Sequence, residues 1–251
     1  MIKEFNNLIK KFEEINSMGY IKGINNNLYN SCGLTFESLL GKKADNMFFP
    51  DYEGIEIKCK QRYSRYDINL FSLSFDGPQL YESNYILQEY GKRKSIFSLK
   101  KELFVNLIFN KKVIVNNNFY FELKIDYEME KIYINIYDVK NNFIEKRGFI
   151  DFDSLKKRIE TKLRKLALVY ASKKKDENDL YFRYYKIVCF NFKDFNTFLK
   201  MIEEGAIKLT LMLRFSKSDK TYGKNKNKNM LFNISDKNLK KIFNVVFFLE
   251  N

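Results

Sequence analysis

The sequence predicts an α/β fold (α+β in the order of its elements), with a central mixed β-sheet flanked by helices. Three observations point to the α/β mix. Apolar residues recur at helical spacing over residues 2–16 and 155–166, as Ile2, Phe5, Leu8, Ile9, Phe12 and Ile15 and then as Leu155, Ile159, Leu163 and Leu166. Phe119, Phe121, Leu123 and Ile125, and again Ile132, Ile134 and Ile136, alternate with polar residues as half-buried strands do. Strand-like and helix-like runs also interleave along the chain, and no internal repeat or linker interrupts them. With 251 residues and 45% hydrophobic content the chain can bury a substantial core. It is read as one unit over 1–251, with a possible division into lobes of about 1–150 and about 151–251.

Taken in order, residues 2–16 form an amphipathic helix and Met18 to Asn30, with Gly19, Gly23 and three consecutive asparagines, a loop. Thr35 is placed to cap a short helix over 36–40 that Gly41 stops. Gly54–Lys60 and Tyr66–Phe75 read as strands, the second with apolar residues on both faces, as a central strand covered on each side requires. Residues 81–104 are mixed, with helical character over 83–89. The alternating runs at 119–125 and 132–136 make an antiparallel hairpin. Asp153 or Ser154 can cap the next helix. Val169–Ala171 begins a strand that Ser172–Asn178 interrupts, and Leu180–Phe192 resumes as a strand. A helix over Phe195–Ile202 ends at Gly205, and Ile207–Phe215 returns as a strand. Ser216–Asn229 carries five lysines and no large aliphatic residue, which predicts an exposed, mobile segment. Ser235 caps a last helix that runs to about Val246.

Composition narrows the chemistry. The net charge is +14, from 45 Lys and Arg against 31 Asp and Glu, and it favours polyanionic partners such as nucleic acid or an anionic membrane surface. The same lysine- and asparagine-rich composition, with only two prolines, also fits the drift of an A+T-rich genome. No basic amphipathic helix with a broad apolar face is visible, so the membrane reading is the weaker of the two. The longest apolar run, Val245–Leu249, is too short to span a bilayer, and the charged N-terminus is unlike a signal peptide. The expectation is therefore a cytoplasmic protein with no membrane association. Cys32, Cys59 and Cys189 are odd in number and lack metal-ligand spacing, which argues against both a zinc site and a disulfide framework. The chain contains no histidine. That excludes Ser-His-Asp and Cys-His catalysis and histidine-ligated zinc, and leaves carboxylates, lysines, tyrosines or a bound metal.

One stretch gathers such groups. Asp51 precedes an acid-x-Lys triplet, Glu56-Ile57-Lys58, on the predicted strand. Successive strand side chains alternate, so Glu56 and Lys58 share one face while Ile55 and Ile57 point to a core. Pro50 and Gly54 bracket the turn that lets Asp51 approach Glu56. Glu37 adds a third acid from a helix. Two acids and a lysine on one edge suit a hard cation and a water held beside a phosphate.

The stretch Gly33-Leu-Thr-Phe-Glu37-Ser-Leu-Leu-Gly41 with Phe49-Pro-Asp51-Tyr-Glu-Gly54-Ile-Glu56-Ile-Lys58 resembles the restriction endonucleases of the MvaI/BcnI type, relatives of the nicking enzyme MutH within the PD-(D/E)xK nucleases. Asn69-Leu-Phe-Ser-Leu73 is similar to the strand that follows the active site in that family. Phe198–Ile207 and Leu231-Phe-Asn-Ile234 are similar to its C-terminal half. The resemblance is sharpest over residues 33–75 and collinear beyond them. It implies a monomeric type II enzyme that hydrolyses phosphodiester bonds at a specific sequence in double-stranded DNA with Mg²⁺, beside a cognate DNA methyltransferase encoded alongside. By motif, Asp51 and Glu56 hold the metal with the carbonyl of Ile57, Lys58 orients or deprotonates the attacking water, and Glu37 assists. The lobe of about 1–150 is then the catalytic one, and that of about 151–251 reads DNA.

Specificity is where this chain departs from the pattern. Relatives carry a histidine-containing, base-reading segment just before the strand that matches Leu231–Ile234. Here Tyr222-Gly-Lys224-Asn225-Lys226-Asn227-Lys228-Asn229 stands in that place. Asparagine can pair with adenine and lysine with guanine in the major groove, and lysines can equally contact phosphates alone. Arg62, Arg65, Lys173, Lys174 and Lys175 are further DNA-contact candidates, each also explicable as a solvated surface charge. Two alternatives stand beside the restriction enzyme, a MutH- or Sau3AI-like nicking nuclease and a catalytically silent DNA-binding module.

Overall fold

The computed structural model covers the chain and describes residues 2–28, 30–42, 49–77, 79–93, 101–215 and 225–250. In chain order the elements begin with a 3-10 turn at Ile2–Phe5, α1 (Asn6–Ser17), β1 (Ile21–Lys22), α2 (Ser31–Leu39), β2 (Glu56–Gln61) and β3 (Ile68–Leu73). There follow α3 (Gln79–Tyr90), β4 (Lys92–Arg93), β5 (Lys101–Leu107), β6 (Lys112–Val115), β7 (Phe119–Asp126), β8 (Lys131–Asp138), β9 (Phe143–Asp151) and α4 (Phe152–Leu163). The chain ends with β10 (Lys165–Asp176), β11 (Asp179–Phe192), α5 (Phe195–Glu203), β12 (Ile207–Phe215), β13 (Asn225–Ile234), α6 (Leu239–Ile242) and β14 (Phe243–Glu250). The α/β class is as expected. Among the described residues no helix is long and apolar enough to cross a membrane.

Two compact units form. The first gathers Met1–Ile68, Ile159–Asp194 and Leu239–Asn251, the second Asn69–Arg158 and Phe195–Asn238. The chain passes between the units after Ile68, Arg158, Asp194 and Asn238.

The first unit is built on a five-stranded mixed sheet ordered β1-β11-β10-β2, with β14 also paired to β11. β2 runs parallel to β10, with Glu56 opposite Leu166 and Lys58 opposite Leu168. A parallel neighbour on a two-sided core needs apolar residues, and Ile55, Ile57, Ala167, Val169 and Ile187 supply them. Leu8, Phe12 and Ile15 of α1 and Phe36 of α2 pack onto this layer, with the Phe36 ring 4.9 Å from that of Tyr184. The second unit holds one sheet ordered β3-β13-β12-β5-β4 and another ordered β6-β7-β8-β9. The expected hairpin is β7–β8, antiparallel with Phe121 opposite Ile136.

Several expectations are corrected. β10 does not stop at Ala171: Lys173, Lys174 and Lys175 continue it, opposite Phe182, Tyr181 and Leu180, and the hairpin turns at Glu177, whose φ of 49° suits a tight turn. Solvated lysines are compatible with the outer end of a hairpin whose partner strand supplies the apolar residues. α2 begins at Ser31, so Thr35 lies inside it, and the buried Thr35 hydroxyl accepts a hydrogen bond from Ile24 N at 3.1 Å, holding the preceding loop rather than capping the helix. β3 stands at the end of its sheet order, and Phe71 stacks 4.7 Å from Phe232. Asp153 and Ser154 lie inside α4, where Ser154 Oγ donates to Asp76 Oδ1 at 2.7 Å. The last helix is only α6. Residues from Phe243 form β14 instead, because Val245, Val246, Phe247 and Phe248 favour extended backbone and β11 offers an edge to pair with. Finally, Asn225–Asn229 belong to the backbone of β13 rather than to a loop. Residues 216–224 lie outside the described residues.

Candidate active site

The site is assembled within the first unit by a turn, a strand and two helices. Tyr52 and Ile55 exchange backbone hydrogen bonds of 3.0 and 2.7 Å across Glu53 (φ 45°) and Gly54 (φ 77°). Positive φ at both central positions is the tight hairpin geometry that glycine relieves, which is why Gly54 follows Glu53 here. The turn folds Asp51 back onto the start of β2, and Asp51 Oδ2 accepts the Ile57 N–H at 2.9 Å. Its other oxygen meets Lys42 Nζ at 2.5 Å. Burial works against the Asp51 charge, but the hydrogen bonds from Lys42 and Ile57 and the cationic Lys162 and Lys58 prevail, and its carboxyl titrates below the ordinary range.

Glu56 opens β2 and is only 3% exposed. A carboxylate so deeply buried must be paired, and both oxygens are. Lys58 Nζ donates to Oε1 at 2.7 Å and Lys162 Nζ to Oε2 at 2.8 Å. Lys162, itself 8% exposed, also donates to the Phe49 carbonyl at 2.6 Å. One ammonium thus ties the strand that carries Glu56 to the segment that enters Asp51. Lys162 sits one turn before the start of β10, the strand that runs parallel to β2, and so reaches the end of β2 where Glu56 lies. Glu37, on α2, is half-buried. Burial and then the neighbouring Asp51 charge push its carboxyl above the ordinary range, while Lys42 and Lys58 pull the other way.

The structure therefore brings Asp51, Glu56, Lys58 and Glu37 into one electrostatic neighbourhood. Ile57 is there too, its N–H committed to Asp51. Glu53 is on the exposed turn and accepts from Asn7 Nδ2 at 3.0 Å. Lys60 reaches the Tyr66 carbonyl at 3.4 Å. Arg62 and Arg65 are exposed beyond the end of β2, and Lys173, Lys174 and Lys175 are exposed on the outer part of β10. Of the predicted base-reading segment, Tyr222 and Lys224 lie outside the described residues, and Asn225, Lys226, Asn227 and Lys228 are placed as backbone of β13.

Two residues of the cluster escape sequence reasoning, Lys42 and Lys162. No local signal marks Lys42. Lys162 does carry one, because it falls three residues after Ile159 and seven after Leu155, on the apolar stripe of α4. A lysine inside such a stripe needs a buried partner.

The donors on offer are the carboxylate oxygens of Asp51, Glu56 and Glu37 and the Ile57 carbonyl, an all-oxygen set. That chemistry fits a hard divalent cation that keeps several of its waters, in place of the partly buried Lys42 and Lys58 ammonium groups that now occupy these oxygens. Among the described residues no cluster of three or more acidic, cysteine or histidine side chains is already arranged around a common point.

Comparison with known proteins decides the relationship. The model of the MvaI/BcnI restriction endonuclease family matches residues 9–243. The chain belongs to that family. The family match spans both units and includes every residue of the cluster. Among solved structures, restriction endonuclease MvaI in complex with its cognate DNA substrate is similar at 25% identity, with 97% of this chain and 98% of that one covered and a TM-score of 0.86. MvaI in the absence of DNA is similar at 25% identity, covering 99% and 98%, with a TM-score of 0.63. No curated protein matches the sequence. As a member of the MvaI/BcnI family the chain is a sequence-specific type II restriction endonuclease.

Proposed function

We propose that the cluster of Asp51, Glu56 and Lys58 is the hydrolytic centre and that it cuts phosphodiester bonds of double-stranded DNA with Mg²⁺ as its cofactor. The observation that carries the reading is the pairing of Lys58 with Glu56 at 2.7 Å beside an Asp51 held ionised by Ile57 N–H and Lys42. The DNA complex of MvaI supports duplex DNA as the ligand.

Asp51 and Glu56, with the Ile57 carbonyl, would hold the cation. When bound, it would supply charge neutralisation at the scissile phosphate and a more acidic water. The chain's own groups do the rest. Lys58 leaves Glu56 Oε1 to face the phosphate, where its ammonium orients the water and offsets the charge that builds on the phosphoryl oxygens. Lys162 stays on Glu56 Oε2 and keeps that carboxylate aimed. Glu37, whose proton is held more tightly than usual, is suited to pass a proton to or from water at the edge of the cluster.

The acid-x-Lys strand supports kinship with the PD-(D/E)xK nucleases and with MutH. In this reading the first unit is the catalytic lobe and the second the DNA-reading lobe, with Asn225, Lys226, Asn227 and Lys228, together with Tyr222 and Lys224, as base or phosphate contacts. The enzyme acts as a monomer in the cytoplasm, with a methyltransferase encoded alongside to protect host sites. Incubating the pure protein with phage DNA and Mg²⁺ and sequencing the fragment ends tests the reading. Ends that share one short sequence support it. Single-strand nicks alone would favour the MutH-like alternative, and DNA left intact across many sequences would refute it.

A further inference from the structure

The turn that follows the active-site strand is built at a cost the fold does not explain. Ser64 N donates to Gln61 O at 3.0 Å, closing a β-turn with Arg62 and Tyr63 at its centre. Tyr63 has a φ of 66°, in the position where glycine or asparagine ordinarily stands. Buried tyrosines can justify such a backbone by packing, but Tyr63 is 87% exposed. Tyr66, a few residues on, is exposed as well. A strained backbone that presents an aromatic ring to solvent points to a partner outside the fold.

The surroundings identify the partner's chemistry. The turn is anchored by Arg62 N donating to the Ala171 carbonyl at 2.8 Å, and Lys60 Nζ braces its far side at the Tyr66 carbonyl. The Arg62 guanidinium lies 5.2 Å from the Tyr63 ring centroid and 5.8 Å from that of Tyr185, so cation and rings form one surface. Arg65 is exposed just after the turn, and Ala171 pairs with Gln61, which sets Lys173, Lys174 and Lys175 just beyond it on the neighbouring strand. Aromatic rings interleaved with cations are what nucleic-acid backbones and base or sugar faces bind. Five residues of extended chain separate Lys58 from Tyr63, at most about 17 Å, or half of one DNA helical turn of about 34 Å. A duplex with a phosphate at Lys58 therefore passes within reach of Tyr63.

We propose that the turn Gln61–Ser64 is a duplex-docking element: Tyr63 packs its ring on the DNA beside the point of cutting, and Arg62 and Arg65 neutralise flanking phosphates. The inference rests on the nuclease reading and adds a contact that the metal cluster does not supply. It also predicts that the docking residue opposes the stability of the fold.

The test uses the full chain carrying Lys58→Ala, so that DNA stays intact, and a fluorescein-labelled duplex containing the mapped cleavage sequence. Binding is followed by anisotropy and stability by thermal unfolding. Tyr63→Gly is expected to raise Kd about tenfold or more, as loss of one aromatic contact with DNA does. Its Tm is expected to hold or rise by about 2–4 °C, because glycine relieves the backbone. Tyr63→Phe keeps Kd within about threefold, since the ring remains. Arg62→Ala lowers the slope of log Kd against log salt by about 1. If Tyr63→Gly binds within about twofold of its parent, or loses several degrees of Tm, the turn is structural and the inference is overturned. A parent that binds no duplex overturns the nuclease reading and this inference together, so the two failures are told apart.

Discussion

Replacing Lys162 with methionine removes one ammonium from a buried fork and leaves its methylene stem in place. Two acceptors lose their donor, Glu56 Oε2 at 2.8 Å and the Phe49 carbonyl at 2.6 Å. Removing one partner of a buried ion pair costs about 3–5 kcal/mol, because the remaining charge is uncompensated. Glu56 keeps Lys58 on its other oxygen, which moves the expectation to the low end, about 3 kcal/mol. For a chain of this size that lowers Tm by roughly 6–12 °C. Urea unfolding of the parent, Lys162→Met, Glu56→Gln and the double variant measures it as a double-mutant cycle. The coupling between Lys162 and Glu56 should be at least about 1.5 kcal/mol, since each loses its partner when the other changes. Turnover should fall in Lys162→Met even where the protein is fully folded, with KM for DNA nearly unchanged, because the carboxylate is no longer aimed. A cost below about 1 kcal/mol, or additivity within about 0.5 kcal/mol, would refute the reasoning about the fork.

Three further outcomes follow from the same geometry. Gly54→Ala places a Cβ at a φ of 77° and should cost about 1 kcal/mol by urea unfolding, with a larger loss of cleavage because Asp51 rides on that turn. The Asp51 carboxyl is held below the ordinary range, so its contribution to stability is present above its unfolded value, near 3.9, and is lost as pH falls through the lower folded value. Acid unfolding of Asp51→Asn should therefore lack that part of the parent's loss. Glu37 has the opposite sign. Its raised folded value favours the native state at low pH, and that contribution fades as pH rises through it, so Glu37→Gln should flatten the stability profile just above the ordinary carboxylate range.

Much of the site was readable because its signals are local. Ile55, Glu56, Ile57 and Lys58 alternate within four residues, and Gly54 marks the turn that returns Asp51 to them. Lys162 lies 106 residues from Glu56, so only its place on the apolar stripe of α4 hinted at a buried role. The helices α1 and α5 were legible from periodicity, α5 with Gly205 at φ 69° where expected. β14 was not, because Leu239, Ile242 and Val246 keep helical spacing while the edge of β11, absent from any local window, decides for extended chain. The lysines of β10 misled for a related reason. Polar residues that suit a loop suit the outer end of a hairpin equally, and the register with Leu180 and Phe182 is a long-range fact.

The central claim is that Lys58 works on a phosphate beside Asp51 and Glu56. The most direct measurement compares the parent with Lys58→Ala on phage DNA in Mg²⁺, scoring both cleavage and duplex binding. The account predicts discrete fragments from the parent, none from Lys58→Ala, and sequence-dependent binding by both. Lys58→Ala cutting like the parent would contradict it.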